Sequence, residues 1–178
     1  MGLRVRTERR RVMITIKAKP LTRDAFDKYG TYINLLDNEA LASRSISPAN
    51  FFADVVPLDF GRTTLPTISV CHVKQQEKKV IRFLEAHQFT CEGLLPLDAD
   101  IIIFVGTPMG KKFDVKNLEA FYVPKGTFVK LNPLIVHGTQ FVVDQAEAHV
   151  VCMLPGRTFK NDMIAQPLEE EEAAAIVW

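Results

Sequence analysis

Cysteine is scarce in this sequence: Cys71, Cys91 and Cys152 are all there is, and no two form a CxxC pair. That excludes zinc-ribbon spacing and a disulfide scaffold. An odd number of separated thiols is what a reducing compartment such as the cytoplasm would carry, each filling core space. Charge of one sign is missing too, with 22 basic against 21 acidic residues and a net charge of +1. Such a chain has no overall field to hold phosphate backbones, so nucleic acid is not an expected partner. No apolar run approaches the ~20 residues that span a bilayer, so no membrane partner is expected. Internal repeats and low-complexity linkers are also lacking, which favours one domain over residues 13–178.

What is present is ordinary globular composition, with 47% hydrophobic residues. Residues 1–12 stand apart through Arg4, Arg6, Arg9, Arg10 and Arg11. No apolar stretch follows them, so a basic, disordered extension is expected there, not a secretory signal. Residues 13–19 alternate as a short strand does. A helix is expected at 22–29, with Thr22 as N-cap, Leu21 and Phe26 as a hydrophobic staple, and Gly30 closing it in the left-handed region. Residues 36–66 read as short strands and loops broken by Pro48, Pro57 and Pro66.

From Pro66 the chain becomes strand-like. Segments 67–73, 79–87, 93–97, 101–105, 120–123, 127–131, 139–143 and 148–154 are rich in β-branched and aromatic residues and separated by turn residues. Residues 116–118 suit a helical turn. This density predicts a mostly β chain with a few short helices, folded as an antiparallel barrel or sandwich. The acids Glu169–Glu172 read as a solvated face, and Trp178 as a subunit contact or the end of a helix.

The strongest chemical signal is the run from Arg82 to Glu92. Residues two apart in a strand share a face, so Ile81, Phe83, Glu85 and His87 line one side. Two apolar residues leading into a carboxylate and an imidazole suit a barrel interior that opens into a polar pocket. Glu92 follows after a turn, and His137 stands about fifty residues beyond Glu85. The alternative reading is a structural pair of Glu85 with His87. Yet burying carboxylates without compensation costs several kcal/mol, so this set calls for a metal or a cationic substrate. His72 and His149 lie on other strands and read as structural.

The pattern Glu85-x-His87-(x4)-Glu92, followed by Pro124-x-Gly126 and His137, resembles the cupin superfamily, with Glu85 where the first cupin histidine stands. The resemblance implies a cupin-type antiparallel β-barrel with one divalent metal held by Glu85, His87, Glu92 and His137. Two imidazoles and two carboxylates suit Mn, Fe, Ni, Co or Zn.

Over most of the chain from Met13 the sequence resembles one cupin group, the ureidoglycolate lyase family. Leu21, Thr22, Phe26, Tyr29 and Gly30 match its opening. Leu84-Glu85-Ala86-His87, Glu92 and Leu95-Pro96 match its centre, and Asn161-Asp162 its close. The resemblance implies cleavage of ureidoglycolate to glyoxylate and urea in a cytoplasmic homodimer. Glu85, His137 and Tyr122 would be the catalytic groups. Lys130 and Arg82 would be the cations for a small carboxylate substrate. Ala86 replaces the family's Arg, Glu92 its Gln, and Val136-His137-Gly138-Thr139 its Trp-His-His-Pro. These departures keep two alternatives open: a different metal-dependent cupin, an isomerase or epimerase on a hydroxy acid or sugar, or a non-catalytic ligand-binding cupin.

Overall fold

A computed structural model of the protein describes residues 13–46, 51–61, 63, 65–110 and 112–178. The basic stretch 1–12 lies outside them. The elements in chain order are β1 (Ile14–Pro20), α1 (Arg23–Phe26), β2 (Gly30–Asn34), α2 (Asn38–Arg44), β3 (Pro66–Lys74), β4 (Lys79–Ile81), β5 (Phe83–His87) and β6 (Glu92–Pro96). They continue with β7 (Ile101–Gly106), β8 (Leu118–Val123), β9 (Thr127–Leu131), β10 (Phe141–Val142), β11 (Glu147–Pro155), α3 (Thr158–Asn161), β12 (Met163–Pro167) and β13 (Ala174–Val177).

The helix after β1 is shorter than its sequence frame predicts. Thr22 makes no side-chain cap bond, and α1 ends at Phe26. Gly30 does not close it in the left-handed region. It opens β2, where a Cβ would lie 1.8 Å from the Lys130 carbonyl oxygen, so close strand approach explains the glycine. The buried Phe26 ring meets Phe121 edge-on, with centroids 5.3 Å apart. Burying such a ring contributes about 1.5–3 kcal/mol. In residues 36–66, read as strands and loops, the chain forms α2, capped by Asp37 accepting from the N–H groups of Glu39 and Ala40. The expected helical turn falls at Val115–Asn117 as a 3-10 turn.

A six-stranded sheet runs β10-β7-β8-β1-β13-β4, a five-stranded sheet β2-β9-β6-β11-β3, and β12 pairs with β5. Their inner faces share one core, with Ile101, Ile103, Phe121 and Val123 from the first sheet against Leu94, Val129, Leu131 and Val150 from the second. This is the mostly β, nearly closed barrel of a cupin. The pairing is antiparallel except at β1, which runs parallel to both β8 and β13. Strands joined through most of the chain are not bound by the hairpin geometry that forces antiparallel neighbours. The C-terminal residues form a strand, not a helix, and the Trp178 ring stacks on Tyr122 at 4.6 Å. No helix among the described residues is long and apolar enough to cross a membrane.

Candidate metal centre and active site

Strand β5 brings Glu85 and His87 to one face, two residues apart. The chain then turns, and the Asp162 carboxylate holds the turn by accepting from the N–H groups of Gln88 at 2.8 Å and Phe89 at 3.0 Å. The turn delivers Glu92 as the first residue of β6, buried at 6% exposure. His137 arrives on the loop after β9. There the Leu134 N–H donates to the His87 carbonyl at 2.7 Å, and Val136 and Gly106 exchange two bonds at 2.8 Å. Leu134 sits at φ 66°, a left-handed conformation that costs a non-glycine residue about 1–2 kcal/mol.

Three ligand atoms converge. His137 Nε2 lies 2.7 Å and His87 Nε2 3.3 Å from Glu92 Oε2. Both imidazoles turn Nδ1 to a backbone carbonyl, His137 to Ile135 at 2.8 Å and His87 to Asp162 at 3.3 Å. A carbonyl only accepts, so Nδ1 of each ring carries a proton and Nε2 is the atom turned toward Glu92, the one a metal would take in place of a proton. The two Nε2 atoms and Glu92 Oε2 are buried and close, yet none is aligned in a hydrogen bond. Two oriented imidazoles and a carboxylate aimed at one point are a donor set for a borderline divalent metal. His87, Glu92 and His137 fit that role.

Burial opposes charge on Glu92, but His137 and His87 outweigh it and hold the carboxyl well below its ordinary range. Burial likewise opposes a charged His137, and Glu92 with Glu85 overcomes it and raises the imidazole. Glu85 differs. Its Oε1 is 3.9 Å from His137 Nε2, and its side chain is 16% exposed against 7% or less for the other three. It is the group of this set that solvent reaches. Burial pushes its carboxyl up, His137 and His87 draw it down, Glu92 adds to the rise, and the net shift is upward. A carboxylate with a raised pKa at the open side of a closed donor cluster is suited to proton transfer.

The other candidates lie elsewhere. Register pairs Glu92 with Leu131 and Gly93 with Lys130, which turns Lys130 to the opposite face of the sheet from Glu92. Its ammonium donates to the Pro57 carbonyl at 3.2 Å. Tyr122 gives its hydroxyl to Asp100, which raises that phenol to about 12, and stacks on Trp178. Arg82 is exposed at the break between β4 and β5, in a shallow hollow of about 220 Å³ with Val80, Phe104 and Phe141. Larger is a hollow of about 560 Å³ lined by Ile14, Phe113, Val115 and Leu168, and it shares no residue with the donor cluster. Sequence reasoning overlooked two neighbours: Asp162, which holds both the turn and the His87 ring, and Cys152, whose thiol is pushed up by burial and by the charge of Glu92.

A barrel with an inward histidine, carboxylate and histidine is that of a cupin. A family model described as ureidoglycolate lyase matches residues 13–174, and the chain belongs to that family, within the cupin superfamily. No curated protein matches the chain closely enough to count. Among solved structures it is similar to a dTDP sugar isomerase from Desulfovibrio desulfuricans G20, with 13% identity, 65% of this chain and 73% of that one covered, and a TM-score of 0.45.

Proposed function

We propose that this protein cleaves ureidoglycolate to glyoxylate and urea, with Glu85 as the proton-transfer group beside a divalent metal centre of His87, Glu92 and His137. The observation that carries the proposal is the contrast within the cluster: three closed, converging donors and one partly open carboxylate. Membership of the ureidoglycolate lyase family supports this choice of substrate. A divalent ion bound there supplies Lewis-acid polarisation of substrate oxygens.

The substrate carbon bears a hydroxyl and a ureido nitrogen. Glu85 takes the hydroxyl proton as the carbon–oxygen double bond forms and the carbon–nitrogen bond breaks. The electron pair leaves with the urea nitrogen, and Glu85 returns the proton to that nitrogen. Products are glyoxylate and urea, and Glu85 is a carboxylate again. One group serves as base and then acid, which its raised pKa permits. His137 and His87, fixed by backbone carbonyls, keep their Nε2 atoms oriented throughout. Urea and glyoxylate release by metal-loaded protein, measured together, tests the proposal. Equal amounts of both products are expected, and no turnover rejects the substrate.

The second reading is a cupin isomerase or epimerase on a hydroxy acid or sugar. Glu92, in place of the family's Gln, favours it by completing a cupin donor set. Such chemistry calls for a second proton-transfer group across the substrate, and Tyr122 and Lys130, the candidates for it, are engaged with Asp100 and Pro57.

A further inference from the structure

On the outer surface of the barrel, β3 and β11 pair with His72 directly opposite His149. Side chains of these strands alternate between faces. Val73, Ala148 and Val150 turn into the core, while His72, His149 and Glu147 stand out in solvent, with side chains 40–52% exposed. The two imidazoles stack nearly parallel, 3° apart, with centroids at 4.9 Å. Glu147 Oε2 lies 2.7 Å from His72 Nε2. Asp98 grips His149 twice, accepting from its backbone N–H at 2.8 Å and meeting ring Nδ1 at 2.6 Å. One nitrogen of each ring and one Glu147 oxygen all lie within 4.8 Å of one another.

Two independent surface ion pairs would not explain this arrangement. Each exposed pair contributes about 0–1 kcal/mol, and neither needs the rings parallel nor three donor atoms gathered at one point. Asp98 holds Nδ1 of His149 as a donor and leaves its Nε2 lone pair free. This carboxylate–histidine contact is the outer-shell device that orients metal-ligating imidazoles.

We propose that His72, His149 and Glu147 form a second, surface site for a first-row divalent cation such as Zn, Ni or Cu, with Asp98 orienting His149. Two nitrogens and one oxygen select these ions over Mg and Ca, which take oxygen ligands. The incoming cation displaces the proton shared by Glu147 Oε2 and His72 Nε2, which passes to solvent, and water fills the open positions. This site is independent of the interior cluster and does not rest on the proposed reaction.

Zinc titration of the full-length, metal-stripped protein by calorimetry tests the proposal, with NMR of the histidine ring signals read in parallel. The wild type should take two equivalents, a tight one and a weaker one, the weaker moving the His72 and His149 signals. The exposed double variant His72→Gln with His149→Gln should take one equivalent and lose only the weaker. The interior variant His87→Ala should keep the weaker. Asp98→Asn, with a smaller perturbation, should weaken it by about 10–100-fold. A wild type whose bound zinc leaves the His72 and His149 signals unmoved, or a weaker equivalent unchanged in the double variant, overturns the site.

Discussion

Glu85 and His137 stand directly opposite each other: the N–H of each donates to the carbonyl of the other, at 2.8 and 2.9 Å. This isolated antiparallel bridge fastens the loop after β9 to the middle of β5. It places the partly open carboxylate 3.9 Å from a buried ring that is itself 2.7 Å from Glu92. Backbone pairing, not side-chain packing alone, assembles the site.

The interior cluster should hold the tighter of two metal equivalents. His87→Ala removes one of three donors and leaves Glu92 with a single imidazole. Protein desalted after loading should fall from about one retained equivalent to a small fraction of one, read by elemental analysis. Full retention in the variant would show that the metal sits elsewhere.

Asp162 is expected to act as a positioning residue. Asp162→Ala frees the N–H groups of Gln88 and Phe89 and loosens the turn between His87 and Glu92. A lost bond of this kind costs about 0.5–1.5 kcal/mol of stability, and metal affinity should fall by about 10–100-fold. Asp162→Asn keeps an acceptor oxygen and should restore most of the affinity. Equal metal affinity in both variants and the wild type would count against this role.

Lys130→Ala and Tyr122→Phe should each leave kcat/KM within about twofold of the wild type, because neither group touches the cluster and uniform binding would appear as a KM change. Steady-state kinetics on ureidoglycolate decides the matter. A KM raised tenfold in Lys130→Ala would return that residue to the substrate.

These last expectations mark where the sequence stops being legible. The two-residue period of 83–87 is a local property, so the shared face of Glu85 and His87 could be read from it. The facing of Lys130 depends on the register of β9 against β6, and a shift by one residue would reverse it. Nearness to His137 in the chain said nothing about that. The strand density after Pro66 revealed the barrel. The parallel insertion of β1 between β8 and β13, and the close strand approach at Gly30, are tertiary facts with no local signature. Helix α2 lay in a stretch whose prolines suggested loops, although the Asp37 cap was there to be found.

Glu119 should govern much of the pH dependence of stability on the barrel's outer side. Partial burial opposes its charge, but Lys19, Lys28 and Tyr29 outweigh this and hold the carboxyl at about 2. A depressed carboxyl stabilises the fold above the unfolded carboxylate range, near 4.3, and this contribution is lost as pH falls toward 2. Tyr29, raised to about 12 by burial and by Glu119, stabilises below its ordinary 10 and loses that contribution between 10 and 12. Glu119→Gln should therefore melt below the wild type at pH 7, with the difference shrinking toward pH 2. A constant difference from pH 7 to pH 2 would contradict this ionisation.

The most direct test of the central claim is the turnover of ureidoglycolate by metal-loaded wild type and Glu85→Gln, with product release and bound metal measured on the same samples. The account predicts urea and glyoxylate in equal amounts from the wild type. It predicts a kcat lowered by about 10²–10⁴-fold in the variant, the usual scale of a lost proton-transfer group, with the tight metal equivalent retained. Full activity in Glu85→Gln, or a metal-loaded wild type that leaves ureidoglycolate intact, would contradict it.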